Sequence, residues 1–145
     1  MRSFFRTTTV TLALMLCLTG LVLSGTAFAK QCVDNGDGTV TDNGTGLMWE
    51  KAPAGPMKWD AATSYCSNLI RGGHSDWRLP SRDELMELYH SPCKNMMDVP
   101  LSSYWSSTPF GLGPLFTSLV NFSDGDVSGS DKSDNYYVRA VREAQ

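Results

Sequence analysis

Ser75-Asp76-Trp77-Arg78-Leu79-Pro80-Ser81-Arg82-Asp83-Glu84-Leu85 marks the entry to a helix and orders what lies on either side of it. Ser81 followed three residues later by Glu84 is a capping box. The Ser81 hydroxyl accepts from the Glu84 amide, and the Glu84 carboxylate reaches back to the Ser81 amide. Leu85, Leu88 and Tyr89 then share one face, with Met86 beside them, until Ser91-Pro92 stops the helix. Arg78, close to Asp76 and Asp83 in sequence, reads as a tie between the helix entry and a neighbouring loop.

Upstream, Trp59, Ala62, Cys66 and Leu69 recur at helical spacing, with Tyr65 widening the stripe. This first helix begins near Lys58 and ends at Arg71-Gly72-Gly73. Before it, Asp34-Asn35-Gly36-Asp37-Gly38 reads as a hairpin turn within Val33 to Val40, and Gly46 to Trp49 reads as a strand with Trp49 buried. Asp34, Asn35 and Asp37 are oxygen-rich, but the later glutamate of an EF-hand loop is missing. Pro53 to Pro56 reads as a loop. Beyond Pro100, Tyr104–Ser107, Phe116–Phe122 and Tyr136–Val141 are predicted strands, separated by loops over Phe110–Pro114 and Ser123–Asp134. Strand, helix, helix, then strands is an α+β order.

The chain has 145 residues. Arg2 and Arg6, an apolar run from Val10 to Leu23, and Ala27-Phe28-Ala29 predict a cleaved signal peptide over residues 1–29. Leu16, in place of a small residue before Cys17, argues against lipidation. Residues 30–145 are expected to form a single domain, since 145 less 29 leaves 116 residues, enough for one core. Twelve basic side chains less Arg2 and Arg6 leaves ten against fifteen acidic ones, a charge of −5. That balance disfavours nucleic acid and anionic membrane surfaces, and no second apolar stretch is long enough to span a bilayer. The expected location is periplasmic or extracellular. There disulfides persist, and Cys32, Cys66 and Cys93 can form one bridge and leave one thiol. The predicted bridge is Cys66–Cys93, because each lies near the end of a predicted helix. Cys32 would then be free or linked to another molecule. No Cys-x-x-Cys is present to suggest zinc or redox chemistry.

Five ordered blocks carry a resemblance: Asp34 to Val40, Gly46 to Trp49, Ser75 to Pro80, Tyr104 to Thr108, and Tyr137 to Arg142. Together they resemble the Lcl C-terminal domain family, exported bacterial modules named after a collagen-like surface adhesin. Relatives often carry a cysteine where this chain has Ala140. Arg78 to Leu85 is also similar to the matching stretch of formylglycine-generating enzymes. That similarity implies a C-type-lectin-like scaffold: two helices flanking a twisted, mainly antiparallel sheet with long irregular loops, and terminal strands near Val33–Val40 and Tyr136–Val141 paired. It does not carry the chemistry, because those enzymes use a late cysteine pair for copper and oxygen and this chain has no cysteine after Cys93. The Glu-Pro-Asn and Trp-Asn-Asp ligands of calcium-dependent lectins are missing too.

Catalytic patterns are sparse. His74 and His90 lack metal-ligand spacing, no Gly-x-Ser-x-Gly elbow is present, and Glu84 and Glu87 read as cap and solvated helix face. The expectation is a non-enzymatic binding module for a glycan or a cell-surface protein, with no required cofactor. Trp105, Asn121, Asp124 and Asp126 are the expected ligand contacts, an aromatic face with polar neighbours for sugar hydroxyls. The adhesin resemblance implies sulfated polysaccharides, whereas a charge of −5 favours a neutral glycan or a protein. The alternative is a structural or assembly subunit of a bacterial surface structure. Asp124, Asp126, Asp131 and Asp134 fall in one predicted loop and form a candidate calcium site, since calcium takes roughly six to eight oxygen ligands. Simple solvation of four like charges is the competing account.

Overall fold

The structure, a computed structural model, describes residues 30–145. The predicted signal peptide and Cys17 lie outside the described residues. Among the described residues nine strands and two α-helices form an α+β fold with a four-stranded and a five-stranded sheet.

The first sheet opens with a meander, β1 (Cys32–Asp34), β2 (Thr39–Asp42) and β3 (Leu47–Glu50). The predicted hairpin is present. Asp34 and Asp37 accept backbone amides from Gly36 and Thr39, so the loop carboxylates serve the turn. The sheet is completed by β9 (Val141–Glu143), antiparallel to β3 with Trp49 opposite Val141. The chain's last strand therefore pairs with β3, not with the Val33–Val40 hairpin strands. On the far side of β9, Arg78 and Val141 exchange backbone hydrogen bonds of 2.9 and 3.0 Å.

The second sheet runs β4 (Ala54–Met57), β8 (Tyr136–Val138), β5 (Ser103–Pro109), β6 (Phe116–Asn121) and β7 (Val127–Asp131) in spatial order. Pairing is antiparallel except between β5 and β8. Three expectations change here. Pro53–Pro56 is mostly strand β4, because Ala54 and Met57 find partners in Val138 and Tyr136. The predicted Ser123–Asp134 loop contains β7, which forms because β6 supplies a complete antiparallel ladder. Tyr136–Val141 is two strands, divided at Arg139 and Ala140 so that one serves each sheet.

Two cores lie between these layers. The helix α2 (Arg82–His90) buries Leu85 and Leu88 with Trp49, Tyr104 and Val120. The helix α1 (Trp59–Asn68) buries Ala62 and Cys66 with Trp77, Leu79 and Trp105. This division corrects the disulfide. The bridge joins Cys32 to Cys93, and Cys66 is a buried free thiol. Cys93 sits on a 3₁₀ turn, Pro92–Met96, in the core that also holds Cys32, while Cys66 belongs to the other core.

Half of the capping box forms. The Ser81 hydroxyl accepts from the Glu84 amide at 3.1 Å. The Glu84 carboxylate, however, takes Arg78 through two bonds of 2.9 and 3.0 Å, a charge-assisted pair in place of the return bond to Ser81. Arg78 also reaches Glu143 at 3.1 Å, so it does tie the helix entry to a neighbour, the last strand. The acids expected beside it pair elsewhere: Asp76 with Arg142, Asp83 with Arg82.

Arg139 holds the join between the sheets. Its fully buried guanidinium donates to the carbonyls of Glu50 (2.5 Å), Lys51 (2.7 Å) and Asp98. Glu50, also buried, receives the Tyr65 hydroxyl and the Ala140 amide, with Arg71 at 3.6 Å.

Candidate functional site

A cleft of about 490 Å³ opens between the β2–β3 turn and the C-terminal end of α2. It begins with a residue that ought not to be buried. Asp42 is almost fully removed from solvent, and a carboxylate tolerates this only when its oxygens are satisfied. One oxygen accepts the Gly44 amide at 2.9 Å and the other accepts the Ser91 hydroxyl at 2.6 Å. Ser91 in turn accepts the Cys93 amide at 3.1 Å, and Cys93 is covalently bound to Cys32. Turn, helix end and disulfide are thus one connected network, which fixes the back of the cleft before any ligand arrives.

The open side is different. Gln31, Thr45, Glu87 and His90 are exposed around the rim, while Met86 and Pro92 give it an apolar part. The rim offers an amide, a hydroxyl, a carboxylate and an imidazole, able to meet hydroxyl groups as donors or acceptors. None of these positions was singled out from sequence as a ligand contact. The available signal was Ser91-Pro92-Cys93, which becomes informative only when Cys93 is known to meet Cys32.

The residues expected to bind ligand are placed otherwise. Trp105 is 0 % exposed, donates its indole N–H to the Met57 carbonyl at 2.7 Å, and packs edge-on against Tyr136. It is a core residue and presents no face for stacking. Asn121, Asp124 and Asp126 do come together, in the turn between β6 and β7. There Asn121 accepts the Ser123 amide and Asp124 accepts the Asp126 amide, so both side chains hold the turn. Trp105 pairs with Leu119, two residues along β6 from Asn121, and does not join them.

The four aspartates of the candidate calcium site are split by β7. Asp124 and Asp126 precede the strand, whereas Asp131 ends it and Asp134 follows. Five strand residues extend about 17 Å, too far for the two pairs to share one ion. Asp131 accepts the Ser133 amide, which holds its carboxyl below the usual range, and Asp134 accepts the Ser130 hydroxyl at 2.6 Å. Among the described residues no group of three or more His, Cys, Asp or Glu side chains is placed to hold a metal ion.

A second cleft, of about 520 Å³, lies at the start of α1 against Leu115, Asp131 and Lys132. Its charges are mixed, and Lys132 is already engaged over the Trp59 ring at 4.0 Å. Cys66 offers no nucleophile, since burial pushes its thiol up to about 12. Among the described residues no helix is long and apolar enough to cross a membrane.

Fold and cleft together define a small α+β module with an open recess, largely apolar in its lining and polar at its rim, braced by a disulfide at its back. Residues 38–142 match the family model for the Lcl C-terminal domain, and the chain belongs to that family. No curated protein matches the chain.

Proposed function

We propose that this protein is an exported, non-enzymatic binding module whose recess beside α2 receives a neutral, hydroxyl-rich ligand, a glycan or the surface of a cell-surface protein. The observation that carries this reading is the contrast within the cleft. Its back is locked by the Asp42–Ser91–Cys93 network, and its rim carries four exposed polar side chains of different hydrogen-bonding character. A rigid back with a polar rim lowers the ordering cost of binding. The acidic balance of residues 30–145 favours a neutral ligand over a sulfated one. Export is supported by the leader-like N-terminus and by a disulfide, which persists in oxidising compartments. Two helices against mainly antiparallel sheets, with β9 returning to the N-terminal meander, support a C-type-lectin-like scaffold.

A glycan array and a panel of surface proteins, each read with Gln31→Ala and Glu87→Ala variants, test the assignment. Each rim side chain that bonds the ligand should weaken binding about fivefold when removed, the worth of one net hydrogen bond. Saturable binding that ignores both substitutions would move the site elsewhere. No saturable binding to any probe would end the proposal.

A further inference from the structure

We propose that β7 is a self-pairing edge, through which two copies of this chain join their five-stranded sheets into one continuous sheet. Among the described residues β7 ends the strand order and has β6 on one side only. The parity of its ladder says which groups are unused. Asn121 N–H donates to Asp126 and Lys132 N–H donates to Leu115, so the alternate residues Ser128 and Ser130 also turn their backbone groups inward to β6. Val127, Gly129 and Asp131 therefore turn theirs outward. Asp131's carbonyl also accepts the Asp134 amide, but a carbonyl keeps a second lone pair.

One antiparallel register uses all three outward residues. It sets Gly129 opposite the second copy's Gly129, and Val127 opposite Asp131 on each side of the two-fold axis. Each opposed pair then exchanges two N–H···O bonds. The same register puts exposed Asp126 across from half-buried Lys132, twice by symmetry, at the positions where facing side chains approach most closely, and Lys132 would exchange its contact over the Trp59 ring for that ion pair. A self-pairing edge usually meets like charge with like. This one meets acid with base.

The centre of the seam is shaped for contact as well. Phe110, from the loop between β5 and β6, lies over Gly129, where an added Cβ would come within 1.9 Å of its Cδ1. Phe110 as a residue is 44 % exposed. A two-fold axis normal to the sheet brings both Phe110 rings to the same face, above strands about 5.5 Å apart at Gly129, within reach of an aromatic pair. Leu112 and Leu115 of the same loop and Phe116 at the start of β6 extend this exposed apolar surface. Natural edges are commonly protected by charge, proline or bulges, and the Val-Ser-Gly-Ser-Asp strand carries one charge, Asp131 at its end, and no proline.

Sedimentation equilibrium of the purified protein should show a concentration-dependent dimer. Lys132→Glu alone and Asp126→Lys alone should each shift it to monomer, and the two together should restore the dimer by exchanging the charges. Phe110→Ser should weaken it without altering the circular dichroism of the monomer. A wild-type protein that remains monomeric at its highest soluble concentration overturns the proposal. A dimer unaffected by both single charge variants and by Phe110→Ser overturns it too, because association would then use another surface.

Discussion

Single side chains carry two of the sharpest expectations. The Ser81 hydroxyl accepts the Glu84 amide, but the Ser81 amide donates no return bond to the Glu84 carboxylate, which Arg78 holds. Ser81→Ala should therefore cost about 1 kcal/mol, the worth of the cap alone, measured by chemical denaturation. Ligand affinity should not change, since Ser81 lies outside the cleft lining. Glu50 gives a pH dependence of definite sign. Burial raises its carboxyl above the ordinary 4.5, against the opposing pull of the Tyr65 hydroxyl, the Ala140 amide, Arg71 and Arg139. A carboxyl raised in the folded state contributes stability that is fully present below about 4.5 and is lost as pH rises through the folded value. Wild type should thus lose stability relative to Glu50→Gln as pH increases across that window. A difference that is flat or rises with pH would show that the ion pairs outweigh burial.

At the level of elements, the second helix was legible because its signals are local. A cap, an apolar stripe and a Ser-Pro stop all fall within twelve residues of Ser81. β4 and β7 were not legible for the opposite reason. Ala54-Gly55-Pro56-Met57 and Val127-Ser128-Gly129-Ser130-Asp131 have little strand propensity of their own, and each becomes strand because a neighbour supplies the ladder. The disulfide failed similarly. Helix ends at Cys66 and Cys93 suggested proximity, yet the two helices serve different cores, and β1 brings Cys32 to Cys93. Cys32→Ala with Cys93→Ala reopens a span of 61 residues and should cost about 4 kcal/mol by the chain-entropy account. Peptide mapping should recover Cys32 joined to Cys93. Cys66 should react with iodoacetamide only after unfolding, given its burial and raised thiol pKa. Rapid labelling of Cys66 in the native protein would contradict its place in the core.

For the whole molecule, composition and block order were sufficient for the α+β class and the family, but not for the recess. Its lining comes from residue 31, residues 42–45 and residues 86–92, three segments that meet only when β1, the β2–β3 turn and α2 are assembled. Exposed Gln31 and Glu87 resemble any other surface residue in sequence, and a buried Asp42 cannot be told from a turn aspartate without its partner Ser91. Aromatic residues misled for a related reason. Trp105 is an aromatic of the kind that stacks on sugars, but it is fully buried, in T-shaped contact with Tyr136, and the carbonyl of Met57 takes its N–H.

The pairing of β9 with β3, and the hold of Arg139 on the carbonyls of Glu50, Lys51 and Asp98, set a rule for the order of assembly. A chain that emerges N-terminus first, from a ribosome or through a narrow pore, has its opening meander free long before residues 139–143 appear. Until they do, the carbonyls of residues 50, 51 and 98 have no donor from Arg139 and Trp49 has no Val141 across from it. Residues 139–143 are the clasp, so the meander and the first of the two cores stay open until that segment is free to reach them.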